Sequence, residues 1–416
     1  MTGARSRRFQ RGGLDPDRGI ELEYFTRKDG FAREMARMPG DGLTWLDCLM
    51  KTDEEDGTPR LFAVYLKVRA PLNVYQRGIA EFRFDQLAWV HRMTFPPTQR
   101  VIPQGHPLRY RNKQDATDYF YFAGGLPRVR VPANAGALLS ANAYEAYTPL
   151  SETAEKKYQV LRDANGELAY RWTAKAPAMT ADIASRLVAE KELTKHETGN
   201  DLVDIETGKL VRTQHGSVYY NQQKQRYVMI VSQVGGSSFL GEIWYAEAPE
   251  PLGPWKYARK IVTHDKYSFY NPKQHPLLGG DQGKTIYFEG TYTQMFSGNE
   301  HPTPGYDYNQ MMYKLDIADP RLNLPLPVKR KGSDGSPQQV PAQLTAADFY
   351  ALPQQGEGTL EVTCDGEKIW IAENPGPNRI ALYEFTNANG DQVKRVEGVV
   401  VPGYTRQRRL GYVWKK

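Results

Sequence analysis

The sequence predicts an all-β fold, a five-bladed β-propeller with helical and loop insertions. Strand-like runs dominate it, and they are rich in aromatic and β-branched residues bounded by Gly, Pro, Asn and Asp. The clearest runs are 61–68, 118–122, 226–231, 284–288 and 368–372. A partial internal repeat is the second observation, and sparse helical periodicity is the third. A ring of small sheets is one way for such a chain to avoid long exposed edges.

The internal repeat relates two parts of the chain in the same order. Three segments recur: 60–65 as 226–231, 105–108 as 274–277, and 121–124 as 287–290. The first and third return 166 residues later, from 60 to 226 and from 121 to 287, and the histidine of the second returns after 169. Ala123 in the first copy becomes Glu289 in the second. Because the strand does not need a carboxylate there to fold, this difference suggests a functional role for Glu289.

Grouping the strands in fours predicts how the chain is organised. Residues 1–42 are expected to contribute a closing strand near 20–25, and residues 43–416 to form one propeller domain. The predicted blades are 43–95, 104–149, 214–263, 271–318 and 358–402, with insertions near 150–212 and 319–357.

Three segments do not fit the blade pattern. Helical periodicity predicts a helix at 180–190 and, more weakly, a second one at 342–350. A hairpin around Asn-Gly is predicted at 158–172, and a six-bladed ring remains an alternative if that hairpin is a blade remnant. The Pro/Gly/Ser-rich stretch 325–341 is expected to be a surface excursion.

Composition narrows the class of protein. The chain has 416 residues, 40% apolar and 25% charged, which is typical of a soluble globular protein. No apolar run of eighteen residues or more is present, so no membrane insertion is expected. The net charge is +6, but the basic residues are mostly scattered, so nucleic acid is not an expected partner. Two cysteines, Cys48 and Cys364, give neither a zinc spacing nor a disulfide framework.

The basic N-terminus lacks the apolar stretch of a secretory signal. Either a leader has been removed from the chain, or the protein is cytoplasmic. We expect an extracellular or periplasmic location, with a cytoplasmic location as the alternative.

Propeller geometry selects the candidate site residues. The first strand of each blade lines a central channel, and the loop leading into it lies on the same face as the loop between the second and third strands. The loops before the first strands, together with those strands, bring polar residues toward one axis: Asp41, Trp45, Asp47, His106, His215, Asn271, His275 and Glu357. Loops between second and third strands add Arg69, Tyr75, Glu242 and Glu289.

A pair of carboxylates across a polar channel is the chemical requirement for cleaving a glycosidic bond. One group protonates the leaving oxygen, and the other activates water or attacks directly. Asp47 lies on an inward strand, where a carboxylate needs a partner, and Glu289 is the residue that the repeat singles out. Glu242 is the reserve candidate. The expected catalytic residues are therefore Asp47, Glu289 and Glu242.

The histidines allow three interpretations. His106 and His275 each precede a proline, so each could simply shape a turn. They could also bind a ligand through hydrogen bonds, together with His215. Imidazoles that converge on an axis would suit Zn²⁺ or Mn²⁺, and nearby carbonyls and waters would suit Ca²⁺.

The stretches 216–231, 241–255 and 287–290 resemble the blade pattern of five-bladed propeller glycosidases. These are the arabinanase, xylosidase and fructosidase superfamily, and the nearest type is the DUF4185-type proteins, which include D-arabinan-degrading enzymes. The resemblance covers about residues 43–318 and implies three acidic residues around the channel. Asp47 matches the base and Glu289 is assigned as the acid, and Asp41, Glu242 and Glu357 remain eligible as the third. His275 resembles a channel histidine near a central ion, which implies a metal contact there and a structural calcium ion in the channel.

Three functions follow as alternatives. The first is a glycoside hydrolase acting on a polysaccharide or oligosaccharide, with Asp47 and Glu289 as the pair. Its sugar-gripping residues would be His106, His275, Asn271, Tyr75, Arg69, His215 and Trp45. The second is a polysaccharide lyase acting on uronates, with a histidine or tyrosine base and a metal or Arg69 to neutralise the carboxylate. The third is a non-catalytic propeller that binds glycan.

Overall fold

The computed structural model describes residues 3–6, 14–17, 19–153, 158–194, 197, 201–237, 239–279, 281–328, 349–364 and 367–416. The fold is all-β, as predicted, with 51% of residues in strands and 5% in helices. The sheets are arranged as in a β-propeller. No helix among the described residues is long and apolar enough to cross a membrane.

The N-terminal segment forms two short antiparallel pairs. Its strands are β1 (Ala4–Ser6), β2 (Leu14–Asp15), β3 (Gly19–Ile20) and β4 (Leu22–Tyr24). β1 pairs with β4, and β2 pairs with β3. In the described part of the chain, the strand expected to close the ring thus pairs within its own segment. Ala36 and Met38 pack on Tyr65 and Ala80 of the first sheet. The domain boundaries stay a prediction.

The first two sheets are antiparallel meanders. The first contains β5 (Leu43–Asp53), β6 (Pro59–Arg69), β7 (Asn73–Arg83) and β8 (Ala88–Thr94). The second contains β9 (His106–Arg111), β10 (Asp118–Ala123), β11 (Val129–Pro132), β12 (Glu145–Thr148) and, after β13 (Leu150–Glu152) and β14 (Tyr158–Val160), β15 (Arg171–Thr173). A short helix α1 (Ala135–Leu138) and a 3-10 turn (Ala141–Ala143) connect β11 to β12.

The third and fourth sheets complete the ring-like part of the fold. The third contains β16 (Asp201–Asp204), β17 (Leu210–Asn221), β18 (Arg226–Gln233), β19 (Glu242–Ala248) and β20 (Tyr257–Thr263). The fourth contains β21 (Ser268–Gln274), β22 (Thr285–Thr293) and β23 (Tyr308–Asp316), followed by a 3-10 turn (Pro320–Leu322). β16 pairs with both β17 and β20 and so joins the two edges of the third sheet.

The internal repeat corresponds to equivalent strands. Segments 60–65 and 226–231 lie in β6 and β18, and segments 121–124 and 287–290 lie in or just beyond β10 and β22. β6, β10 and β22 are second strands of their sheets, and β18 is the second strand of the third sheet when the edge strand β16 is left out. A second strand is hydrogen-bonded to a neighbouring strand on each side, and apolar groups pack on its faces. Its sequence is therefore a nearly continuous apolar run. This explains why the repeat is strongest there.

Neighbouring sheets pack through these second strands. Phe62 and Val64 meet Phe120 and Phe122 between the first and second sheets. Ala123 and Leu108 meet residues of the third sheet, and Val228 and Ile230 meet Phe269 and Phe288 between the third and fourth.

The count of five blades is wrong, because the described residues form four. The C-terminal region contains β24 (Leu326–Pro327), β25 (Phe349–Ala351), β26 (Thr359–Cys364), β27 (Glu367–Ala372), β28 (Arg379–Asn387), β29 (Gln392–Val396) and β30 (Tyr404–Lys415). The last strand, β30, is long and pairs with both β27 and β28, which separates strands that a four-stranded meander would keep adjacent.

The C-terminal sheet packs on the third sheet. Val203 and Tyr257 form an apolar cluster with Tyr350, Ala372 and Trp414. The Tyr257 hydroxyl also donates a 2.6 Å hydrogen bond to the Lys415 carbonyl. β23 of the fourth sheet keeps several exposed side chains, including Tyr308 and Met311.

The insertions follow the predictions in part. Helix α2 (Ala181–Ala189) lies where the periodicity predicts it, and the Thr180 hydroxyl caps it by accepting from the Ile183 amide. A narrow hairpin does turn at Asn165-Gly166, with Arg162 paired to Leu168. Its flanks join β13 and β12, so it is an extension of the second sheet and not a sixth blade.

Two predictions remain, one for the segment before β25 and one for the cysteines. Residues 342–348 of the second helix candidate, and most of 325–341, lie outside the described residues, and 349–351 is a strand. Cys48 and Cys364 lie in separate apolar clusters and form no disulfide with each other.

Candidate functional site

Three β-bulges shape the inner strands of the ring. The ladder slips between Asp47 and Met50 in β5, between Thr213 and Gly216 in β17, and between Tyr270 and Lys273 in β21. A bulge leaves extra residues unpaired and turns a side chain toward a new direction, and bulges are frequent beside active sites.

These bulges carry predicted site residues. Asp47 and His215 lie at or inside two of them, and Asn271 lies in the third with a left-handed φ of 55°. The sequence pattern identified the residues but gave no sign of the bulges that position them.

Asp47 ties the first sheet to the second. Its Oδ1 accepts a 2.8 Å hydrogen bond from the Cys48 amide, and its Oδ2 accepts a 3.0 Å hydrogen bond from the Gly105 amide. Gly105 has a φ of +80°, and a Cβ there would lie 2.3 Å from the Ala123 carbonyl oxygen. Only glycine fits this close approach. The conformation of the Gly-His-Pro segment therefore serves to present an amide to Asp47.

His106 is the first residue of β9 and pairs with Ala123. The pKa of His106 is lowered to about 4, chiefly by burial and next by the positive charge of Lys273, against the opposing effects of Asp47 and a hydrogen bond with the Asn271 backbone. The imidazole is therefore neutral at pH 7. A neutral imidazole can donate one hydrogen bond and accept another.

His215 and Asn271 contact each other across the third and fourth sheets. The His215 Nδ1 lies 3.3 Å from the Asn271 Oδ1, so the imidazole donates and the amide oxygen accepts. The His215 carbonyl accepts a 3.0 Å hydrogen bond from the Ser232 hydroxyl, which holds the bulged backbone in place.

Glu289 lies on β22 directly opposite Lys273. Its Oε1 is 3.0 Å from the His275 Nε2. The contact is electrostatic, because the His275 Nε2 has no hydrogen-bond partner among the described residues. Burial of Glu289 favours its protonated form, but His275, Gln310 and Lys273 together lower its pKa below the ordinary value.

Six residues thus form what we call the channel cluster: Asp47, His106, His215, Asn271, Lys273 and Glu289. The contacts and charge interactions above link its members across all four sheets. Lys273 is the member that sequence reasoning missed.

The register explains the omission of Lys273. Ala123 pairs with His106, whereas its counterpart Glu289 pairs with Lys273, so Lys273 and not His275 occupies the position of His106. His275 follows the end of β21, and its amide donates to the Tyr287 carbonyl. The slip from an offset of 166 to 169 was the available signal, because paired residues of the two sheets are offset by only 166 or 167, so that His275 is not the counterpart of His106.

Glu242 is placed differently from the other two predicted carboxylates. It is buried, and its two oxygens each accept from the Ser237 amide at 3.0 Å, while Oε1 also accepts from the Thr263 hydroxyl at 3.1 Å. A Cβ on Gly236 would lie 1.5 Å from its Oε2. Glu242 therefore anchors the loop between β18 and β19.

Trp45, Arg69 and Tyr75 lie in the first sheet, at its loop end. Trp45 is 42% exposed and precedes Asp47 by two residues on the same face of β5. The Arg69 guanidinium stacks 4.1 Å from the Tyr75 ring centre and lies 3.8 Å from Asp41. The Tyr75 hydroxyl donates a 2.6 Å hydrogen bond to the Asp41 carbonyl. These two side chains thus brace the loop that carries Asp41.

The predicted metal contact at His275 is not supported by its neighbours. The described residues contain no group of three His, Cys, Asp or Glu side chains that could hold a metal ion. His275 contributes one imidazole beside one carboxylate, which is fewer ligands than zinc or calcium normally takes.

Comparisons with known proteins give weak structural likenesses. No protein-family profile and no curated protein matches the chain. An exo-β-1,3-galactanase from Phanerochaete chrysosporium is similar with a TM-score of 0.34 and 12% identity over 92% of this chain and 81% of that one. An endo-1,5-α-L-arabinanase from Thermotoga petrophila RKU-1 gives 0.31 and 13% over 84% and 67%.

A thermostable family-43 glycoside hydrolase gives a TM-score of 0.28 and 14% identity over 66% of this chain and 72% of that one. All three are glycoside hydrolases, and likenesses of this strength assign neither a family nor an activity to this chain. The resemblance to DUF4185-type proteins stays a prediction.

Proposed function

We propose that the protein is a glycoside hydrolase that cleaves a polysaccharide or oligosaccharide at the channel cluster, with Asp47 and Glu289 as the catalytic pair. The observation that carries this proposal is the channel cluster itself. It contains two carboxylates, from the first and the fourth sheet, together with the neutral His106 and the hydrogen-bonding pair of His215 and Asn271. Two carboxylates flanking a polar site are the minimum equipment for glycosidic cleavage.

Asp47 is assigned as the base or nucleophile. Both of its oxygens accept hydrogen bonds from backbone amides. A carboxylate fixed by two amides keeps one orientation toward the sugar. It can direct water, or attack the anomeric carbon itself.

Glu289 is assigned as the acid. His275, Gln310 and Lys273 favour the ionised form of Glu289, while burial favours the protonated form. A bound sugar removes water from the pair and so strengthens the effect of burial. The proton then passes from Glu289 to the glycosidic oxygen as the bond to the anomeric carbon breaks.

The remaining residues of the cluster suit sugar hydroxyls. His106 is neutral, and His215 and Asn271 expose both donors and acceptors. Trp45, partly exposed on the face that carries Asp47, offers an aromatic surface for a sugar ring. Arg69 and Tyr75 act only indirectly, by bracing the loop beside it.

The test is reducing-end release across arabinans, xylans, galactans, pectins and algal glycans. We expect turnover on one of them, with a loss of about a hundredfold to ten-thousandfold in Asp47→Asn and in Glu289→Gln. Asp85→Asn is the matched control, because this exposed carboxylate only pairs with Arg83. Silence of the wild type across the panel would contradict the proposal and favour the non-catalytic glycan-binding alternative.

A polysaccharide lyase is the second candidate, and the neutral state of His106 favours it. A neutral imidazole can take the proton next to a uronate carboxylate, the step that starts elimination. Ultraviolet detection of unsaturated uronates separates the two candidates. A signal that disappears in His106→Ala and persists in Glu289→Gln would establish the lyase, and new reducing ends without that signal would support the hydrolase.

A further inference from the structure

Lys273 is a half-buried cation without a partner in the described part of the chain. It forms no ion pair or hydrogen bond there through its ammonium group. This is unexpected, because Glu289 is its direct cross-strand neighbour. The Glu289 carboxylate contacts His275 instead, at 3.0 Å. The ammonium is therefore left available although an opposite charge stands beside it.

The surroundings of Lys273 show that its charge acts inside the site. It lowers the pKa of His106, which lies on a different sheet, and contributes to the lowered pKa of Glu289 on its own sheet. A lysine extended into bulk water would be screened from a buried imidazole. Another lysine of the fourth sheet, Lys314, is more exposed and yet bonds to Asp17 at 3.2 Å.

We propose that Lys273 is an anion-binding subsite of the channel, and that the ligand is an acidic glycan whose carboxylate or sulfate group pairs with the ammonium. This inference rests on the proposed function only in taking the ligand to be a glycan. Removing a charge from water without a partner is costly, so a ligand that supplies the missing anion gains affinity. Asn271 and His215, nearby in the cluster, can hold the hydroxyls of the same sugar ring.

The experiment compares matched oligosaccharides that differ only in their charge. Uronate trisaccharides are paired with their carboxyl-reduced counterparts, and sulfated galactan trisaccharides with their desulfated counterparts. Binding to the full-length protein is measured by calorimetry, in the wild type and in Asp47→Asn, which slows turnover. We expect the acidic member of one pair to bind about tenfold to a hundredfold more tightly, and the preference to weaken with added salt.

Variants assign that preference to Lys273. Lys273→Gln should abolish it, while Lys273→Arg should retain most of it. Lys314→Gln, which removes a cation from the same sheet, should have no effect. Thermal unfolding of each variant controls for loss of the fold.

The four probes also distinguish a carboxylate from a sulfate ligand, and the anion-binding subsite from the proposed hydrolase activity. Preference within only one pair identifies carboxylate or sulfate as the ligand group. Equal binding within both pairs, absence of binding to all four probes, or a preference that survives Lys273→Gln would each overturn the inference. An acidic preference in a protein that turns over no glycan would retain the subsite and reject the hydrolase.

Discussion

The second and fourth sheets contain the repeated strand, and they differ where it matters for function. In the second sheet Ala123 faces His106, and in the fourth sheet Glu289 faces Lys273. Ala123 is completely buried in the apolar cluster shared with the third sheet. Glu289 is only partly buried, beside the partly exposed third strand β23.

The comparison shows that a repeated strand can gain a charge at a position that is partly exposed. The fourth sheet tolerates a carboxylate because Glu289 is partly exposed and contacts His275, whereas the same position in the second sheet is completely buried. Exposure permits Glu289 to be charged. Its contacts with His275, Gln310 and Lys273 are what make it a candidate for chemistry.

The largest effect is expected from making the fourth sheet resemble the second. Glu289→Ala should fold normally, since Ala occupies the equivalent place in β10. Turnover should fall by about a hundredfold to ten-thousandfold, because the acid is gone. Steady-state kinetics on the active glycan and a thermal melt measure the two effects. A variant that melts much earlier than the wild type would show that Glu289 is needed for the fold.

The reverse exchange should damage the fold. Ala123→Glu places a carboxylate at a completely buried position, among apolar residues of the second and third sheets and beside the neutral His106. We expect a loss of about 3–5 kcal/mol in the free energy of unfolding, measured by denaturant titration. Ala123→Ser is the milder control. A variant as stable as the wild type would contradict the difference in cover between the two sheets.

Gly105 tests how the second sheet supports Asp47. Gly105→Ala places a Cβ 2.3 Å from the Ala123 carbonyl oxygen at a φ of +80°. The strand end must shift, at a cost of about 2–3 kcal/mol, and the amide that binds Asp47 shifts with it. Both stability and turnover should fall. Gly166→Ala, at a turn with open space around the Cβ, should cost stability without affecting turnover.

The smallest effect is a pH dependence from His106. Its pKa is about 4 in the folded chain, against an ordinary value near 6.5. Between these values the unfolded chain binds a proton that the folded chain does not, so stability falls as pH drops from about 6.5 to about 4. Between pH 6.5 and pH 5 the loss assigned to His106 is on the order of 1–2 kcal/mol.

His106→Asn should remove that part of the slope, whereas His301→Asn, at an exposed position, should leave it intact. Ionised Glu289 also loses its stabilisation in acid, because its pKa is lowered, so the difference between wild type and His106→Asn is the quantity to measure. Identical slopes in the two proteins would contradict the buried, neutral state of His106.

Much of this arrangement was predictable from local pattern. The strand runs, helix α2 and the equivalence of β6 with β18 and of β10 with β22 follow from apolar alternation and from the repeat. The same reasoning placed Asp47, His106, His215 and Asn271 together, because loops before inner strands share one face of a propeller.

The rest depended on long-range packing. A fifth blade was inferred from strand count alone, but β30 pairs between β27 and β28, and Trp414 and Tyr350 pack on the third sheet. Glu242 was read as a channel residue, whereas it bonds to Ser237 in its own hairpin loop. Lys273 escaped notice because the repeated His-Pro pair points to His275, two residues beyond the counterpart of His106.

The assignment of Asp47 and Glu289 is tested most directly by leaving-group dependence. Glu289→Gln and Asp47→Asn are assayed on the active glycan and on the dinitrophenyl glycoside of the same sugar, whose leaving group needs no proton. The account predicts that Glu289→Gln fails on the glycan but cleaves the dinitrophenyl glycoside at close to the wild-type rate, and that Asp47→Asn fails on both. Equal losses on both substrates in Glu289→Gln would show that Glu289 is not the acid.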